Sequence, residues 1–111
     1  MGLYRQYSDE NLESHIEELS KELFIAHNSW QDARLFRFNV HKPGTFLDWH
    51  PAGGKFVIVV LSGTLEICVT DGTKQICRAG DLRFTSDEGR GHTGQVLGDE
   101  PCVVLMVDIG K

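Results

Sequence analysis

Cysteine is scarce in this 111-residue chain. Cys68, Cys77 and Cys102 are odd in number, so they cannot all pair within one molecule, and no C-x-x-C spacing is present. Reduced thiols in a cytosolic protein are the expectation, with Cys68 and Cys77 facing each other across a hairpin as the rival reading. Long apolar runs are also missing. Val57–Leu61 is unbroken but far short of the roughly 20 residues that a membrane-spanning helix needs, so no membrane partner is expected. Basic clusters are absent: 11 Lys and Arg are scattered among 16 Asp and Glu, giving a net charge of -5, which argues against a nucleic-acid partner. Gly53-Gly54 and Gly89–Gly91 lack the lysine and the following helix of a phosphate loop, and no alternation of strand and helix patterns suggests a dinucleotide fold. Met1–Gln6 lacks the apolar continuation of a secretion signal, so the expected location is cytoplasmic.

What is present is strand after strand. Phe56–Gly63 reads FVIVVLSG, a β-branched run that fits a strand buried on both faces, closed by the turn Ser62-Gly63. Thr64–Val69 alternates behind it, Asp71-Gly72 is a two-residue hairpin signal, and Lys74–Arg78 is the return strand. Ala79-Gly80-Asp81 turns into Leu82–Thr85, where Leu82 and Phe84 share one face and Arg83 and Thr85 the other. Ser86–Gly91 is a loop, His92–Leu97 a strand, and Cys102–Ile109 a final apolar strand after the turn Gly98–Pro101. Upstream, Ala33–Val40 reads as a strand, Lys42-Pro43-Gly44 as a turn, and Phe46–His50 as the approach to the central strand. Short strands with turns every eight to twelve residues, in a chain of one-domain length, mean a small all-β sandwich or barrel. The beginning is ambiguous. Residues 1–12 read as a polar tail and 13–109 as the single domain. Leu12, Ile16, Leu19 and Leu23 fit a helix over Asn11–Ala26, while the rival reading is two strands, Ser14–Glu18 and Glu22–Ile25.

Gly44 followed by His50, the spacing on to Gly63, and Gly72 before Ala79-Gly80-Asp81 resemble the cupin superfamily. Asp48-Trp49-His50-Pro51-Ala52, Leu61-Ser62-Gly63, Gly89-Arg90-Gly91-His92 and Glu13-Ser14-His15-Ile16 are similar to motifs of a group of small single-domain cupins. The resemblance spans Glu13 to Val107. It implies a double-stranded β-helix, a jelly-roll barrel around a pocket that in many relatives holds a divalent metal. Carried over residue by residue, the metal-ligand positions fall on His50, Ala52, Phe56 and Arg83, so one ligand of four is kept. The closer group's polar pocket residues fall on Gly53, Gly54, Lys55, Phe56, Thr85, Ser86, Gly94 and Gln95, where only the charge at Lys55 survives; His50 and His92 are kept.

With the cupin barrel as frame, the expected ligand-binding residues are Trp49, His50, Lys55, Phe56, Arg83, Thr85 and His92. His50, His92 and Arg83 are the candidates for chemistry. An arginine beside two histidines offers planar donors to a carboxylate or phosphate. Phe56 and Trp49 offer an apolar or stacking wall. Arg83 could instead point outward and pair with Asp81, Asp87 or Glu88 if the register slips by one. His15, His27 and His41 read as surface or structural. No cofactor is expected; a divalent metal would have His50 and His92 as its candidates, with Asp48, Asp87 or Cys68 to complete it. The resulting expectation is a cupin with a degenerate metal site that binds a small carboxylate, phosphate or sugar-like anion. The alternatives are a metal-independent isomerase, epimerase or lyase using His50 or His92 as acid or base, a metal-dependent oxygenase, and a structural dimer module. A homodimer is expected from the small size of the core.

Overall fold

A computed structural model describes residues 1–26 and 28–110. Ten strands form two sheets. They are β1 (Leu3–Ser8), β2 (Ser14–Glu18), β3 (Leu35–His41), β4 (Phe46–His50), β5 (Lys55–Ser62), β6 (Thr64–Val69), β7 (Lys74–Arg78), β8 (Leu82–Thr85), β9 (His92–Leu97) and β10 (Cys102–Gly110), with one helical turn, α1 (Leu23–Ala26). The six-stranded sheet runs β2-β1-β8-β5-β10-β3, and the four-stranded sheet runs β4-β9-β6-β7. This is the all-β double-stranded β-helix. His27, read above as surface or structural, lies outside the described residues.

Period-two alternation explains which side chains meet. Ile58 and Val60 of β5, Leu65, Ile67 and Val69 of β6, Val96 of β9 and Val104 of β10 point between the sheets and form the core with Tyr4, Ile16, Cys77 and Cys102. Each such aliphatic side chain contributes about 1.5–3 kcal/mol by leaving water. The central run is not buried on both faces. Ile58 and Val60 are buried, Val57 and Val59 are half-buried, and Leu61 is exposed. An antiparallel sheet can keep one face outside the core, and here the outer side of β5 has that role. Gly63, at φ 82, sits where a Cβ would collide with the Pro101 carbonyl, so the turn after β5 can pass the start of β10 only as glycine. The β6–β7 register puts Cys77 opposite Leu65 and Cys68 opposite Lys74. Cys68 and Cys77 therefore do not face each other, and all three cysteines are free.

The N-terminal segment differs from its sequence reading. Leu3–Ser8, taken as part of a featureless tail, is a strand hydrogen-bonded to both β2 and β8, with Leu3, Tyr4 and Gln6 buried. Ser14–Glu18 is a strand, as the rival reading had it, because β1 supplies a partner that local helical spacing cannot register. Of the proposed helix only the turn Leu23–Ala26 is helical; it is neither the long helix nor a second strand. The β1–β2 connection is pinned by Asp9, whose Oδ1 accepts from the backbone N–H groups of Asn11 and Glu13 at 2.9 and 3.1 Å.

His15 ties this hairpin to the rest of the barrel. Its Nε2 lies 2.8 Å from Asp9 Oδ2 and its Nδ1 lies 2.6 Å from Asp71 Oδ2 in the β6–β7 turn. The hydrogen bond to Asp9, followed by that to Asp71, raises the His15 pKa above the ordinary 6.5. The protonated form is therefore favoured by folding, and its contribution is complete below pH 6.5 and fades as the pH rises through the raised value. The expected outcome for His15→Ala is a lower urea midpoint whose deficit against the unsubstituted chain is largest in mild acid and shrinks in mild alkali. A deficit that does not vary with pH would contradict this.

Candidate functional site

One wall of the interior is built by three adjacent strands. Cα partners across these ladders place Gln6, Thr85 and Phe56 in one row and Tyr4, Arg83 and Ile58 in the next. Paired residues on neighbouring strands share a face, and Arg83 and Thr85 are buried, so this face points inward. Arg83 thus takes the pocket alternative rather than the surface one. The opposite wall comes from β4, β9 and β6, where His50 is paired with His92. Gly91, at φ 75, has no room for a Cβ against the His50 carbonyl, and this close approach sets the two histidines side by side. Their ring centroids are 4.4 Å apart.

Between the walls lies a cavity of about 270 Å³. Its lining is mainly apolar, including Leu47, Phe56, Ile58, Leu65, Ile67, Val104 and Met106. The polar lining is Asn39, His41, His50, Arg83, Thr85 and His92. Five of the seven residues expected at a site, His50, Phe56, Arg83, Thr85 and His92, are brought to this one cavity. Trp49 and Lys55 are not. The Trp49 ring faces away and stacks under the Arg90 guanidinium, 4.2 Å from its centroid. Lys55 is exposed and lines shallow outer grooves beside Ser86. Alternation explains both departures, because each is one residue from a position that faces inward.

The polar groups form a chain of hydrogen bonds. Arg83 Nη1 donates to Gln6 Oε1 at 2.7 Å, Gln6 Nε2 donates to Asp87 Oδ1 at 3.0 Å, and His92 Nδ1 lies 2.7 Å from Asp87 Oδ2. Gln6, Arg83 and Asp87 are each at most 3% exposed. Burial lowers the His92 pKa below 6.5, with the Asp87 hydrogen bond acting in the opposite direction. His92 is accordingly neutral at pH 7, with its proton on Nδ1 toward the carboxylate and Nε2 unprotonated. His50 Nδ1 is 2.7 Å from the Asp48 carbonyl oxygen, which can only accept, so that nitrogen also carries the proton. Burial lowers the Arg83 pKa below the ordinary arginine value, yet an arginine stays charged at neutral pH. Among the described residues two buried side-chain polar atoms have no hydrogen-bond partner, Arg83 Nε and Thr85 Oγ1.

Four participants lie outside the expected ligand-binding set. Gln6 lay in the presumed tail, and its one sequence signal is the alternation Tyr4-x-Gln6. His41, read as surface or structural, lines the cavity with Asn39 from the edge strand β3. Asp87 was weighed as an ion-pair or metal partner, and it is in fact the acceptor for His92.

The donor set does not suit the metal that the fold family implies. Of the first-motif ligands only a histidine is present, and Asp87 turns its oxygens to Gln6 and His92. Among the described residues one His/Cys/Asp/Glu trio has its ligand atoms within reach of a single ion, and that trio, Asp9, Glu13 and His15, is outside the cavity. A tight catalytic site usually wants three such donors.

The rolled ten-stranded barrel with one lined cavity defines the class. The family model described as Cupin domain matches residues 35–108, and the chain belongs to the cupin family. The chain is similar to an uncharacterized conserved protein with a double-stranded β-helix domain from Klebsiella pneumoniae (26% identity, TM-score 0.53, covering 68% of this chain and 67% of that one). It is similar to a predicted oxalate decarboxylase from Thermotoga maritima (26% identity, TM-score 0.54, covering 99% and 94%). It also shares its fold with a dTDP-6-deoxy-D-glucose-3,5-epimerase from Legionella pneumophila (14% identity, TM-score 0.55, covering 96% of this chain and 63% of that one). No curated protein matches the chain.

Because the folded state holds His92 neutral, it resists a proton that the unfolded chain accepts at 6.5. His92 therefore subtracts stability as the pH falls below 6.5. The expected outcome for His92→Asn, measured by urea unfolding across the acid range, is a shallower loss of stability below that pH than in the unsubstituted chain. An unchanged acid slope would contradict a neutral His92.

Proposed function

We propose that the barrel binds a small organic anion, a carboxylate, phosphate or sugar-like acid, within the central cavity. One observation carries this reading: Arg83 and Thr85 line the cavity, and Arg83 Nε and Thr85 Oγ1 are buried with no hydrogen-bond partner among the described residues. Leaving a buried donor unpaired costs about 1–3 kcal/mol, more for a charged group, and an anionic oxygen is the acceptor that removes the cost. The cavity of about 270 Å³ is at the small end of ligand pockets, which favours a compact acid over a nucleotide sugar. Phe56, Ile58 and Leu65 would take its apolar part. The similarity to a predicted oxalate decarboxylase is consistent with a small-acid ligand. Sensing, carrying or sequestering such an acid needs nothing more from the chain.

The Asp87–His92 pair favours a second reading, metal-independent proton transfer of the isomerase, epimerase or lyase kind. Neutral His92 has a free Nε2 to accept a proton, Asp87 stabilises the imidazolium that results, and Arg83 steadies the charge developing on the ligand. The test is calorimetry and thermal shift with acetate, oxalate, pyruvate and inorganic phosphate, followed by proton exchange of bound pyruvate in heavy water. Binding in the millimolar range is expected. Thr85→Val should weaken it about tenfold and Arg83→Met about a hundredfold, as hydrogen bonds to charged groups are worth. No binding of any of the four probes would overturn the anion reading. Binding without exchange, or exchange that survives in His92→Asn, would leave a binder and remove the catalyst.

The outer face of the six-stranded sheet supports assembly as a homodimer. Phe36, Phe38 and Val40 of β3 pair with Val107, Leu105 and Val103 of β10, which continue to Val57 and Val59 of β5. Phe36, Phe38, Val40 and Leu61 are 69, 58, 66 and 46% exposed. At roughly 150–200 Å² per side chain these four offer about 450 Å² of apolar surface, more than half of the roughly 800 Å² per partner in a stable interface. None of these nine residues is charged, so the net charge of -5 does not set copy against copy across them. β3 is also an edge strand, and a two-fold axis beside it would cover both edge and face with a second copy. Light scattering after gel filtration should give twice the chain mass, and Phe38→Glu should return it to a monomer. A monomeric unsubstituted chain at micromolar concentration would overturn this assembly.

A further inference from the structure

Gln6 lies at the middle of the buried chain of hydrogen bonds and is fully enclosed. It is hydrogen-bonded to two residues of opposite charge. Its carbonyl oxygen meets the Arg83 guanidinium and its amide N–H meets the Asp87 carboxylate. The polarity of the amide matches both neighbours, and this fixes which end faces which. Asparagine carries the same amide but is one methylene shorter. Because Gln6 stands between them, Arg83 and Asp87 do not form a direct ion pair. Arg83 keeps its Nε free, and Asp87 keeps Oδ2 for His92 Nδ1 at 2.7 Å.

We infer that Gln6 is a positioning residue that acts through Asp87 to hold His92 in the tautomer with Nε2 unprotonated on the cavity side. Its meaning for function rests on the cavity being the ligand site; its structural content does not. Gln6 occupies the row of Thr85 and Phe56 on β1, so a strand outside the matched cupin region, which begins at residue 35, supplies the site. A carboxylate with two donors holds its orientation better than one with a single donor. Turning Asp87 away would let the imidazole proton move to Nε2, and the ring would then present a donor where it now presents an acceptor. The charged or titratable groups that act on His92 are Asp87 from the loop after β8, Arg83 from β8 and His50 from β4. Gln6 touches the first two.

The experiment is long-range proton–nitrogen spectroscopy of the imidazoles in the full chain without ligand. In the unsubstituted protein His92 should carry its proton on Nδ1. Gln6→Leu and Gln6→Met both remove the donor to Asp87. In either variant the ratio of the two His92 tautomers should shift by about tenfold, the worth of one hydrogen bond to a charged group. A folded variant that loses stability but keeps the His92 tautomer would show a structural role alone and overturn the inference. Should neither variant fold, the unsubstituted protein decides. The Gln6 side-chain amide signals should move in step with His92 as it titrates, and signals that stay still would overturn the inference. Neither readout involves a ligand, so failure to bind acetate, oxalate, pyruvate or phosphate would defeat the binding proposal and leave this one standing.

Discussion

The site depends on one buried charge being satisfied at a distance. Arg83 is enclosed in the barrel wall, where an unpaired guanidinium would be costly. Its compensation is the Asp87 carboxylate, reached through the Gln6 amide and shared with His92. That chain of contacts joins β1, β8, the loop after β8 and β9. It couples the beginning of the polypeptide to its last third and draws both sheets to the same cavity. Because the amide stands between the charges, they balance without collapsing onto each other, and the guanidinium Nε has no partner among the described residues. Such a half-committed arginine is an unusual thing to bury, and it separates this interior from a packed core.

The rest of the cavity follows from what the chain does not place there. Where the resemblance to cupins implies metal ligands, this chain has Ala52, Phe56 and Arg83. An aromatic ring and a fixed cation take over the space, and the two histidines that remain both have Nδ1 engaged, one with a backbone carbonyl and one with a carboxylate. The result is a small apolar chamber with a few convergent polar groups, the usual make-up of a pocket for a compact ligand. Its polarity runs from Thr85 and Arg83 in one wall to the paired histidines in the other.

The outer surface of the barrel is not uniformly polar. The six-stranded sheet turns one apolar face to the core and cavity and has a second apolar face toward the outside. Strand sequences that are apolar on both faces are expected where both faces are covered. The outer rows of β3, β10 and β5 thus leave an uncovered apolar face on the sheet.

Much of the barrel is legible locally. The hairpin at Asp71-Gly72 and the spans of β7, β8 and β9 follow from alternation and turn residues, because each depends on neighbours a few positions away. The inward direction of Arg83 and Thr85 follows from the same period of two once the register is known. Alternation and turns therefore determined the all-β class, and the resemblance to cupins supplied five residues that line the cavity, with the direction of Arg83 left to the register. Tertiary structure decided the remainder. Gln6 meets Asp87 and Arg83 across 81 and 77 positions, His41 reaches the cavity only because β3 pairs with β10, and Trp49 turns outward by one step of its strand. Ser14–Glu18 is a strand because β1 accepts it, against its own helical spacing. Pairings between distant segments depend on how the whole sheet closes, and no local pattern of side chains encodes that closure.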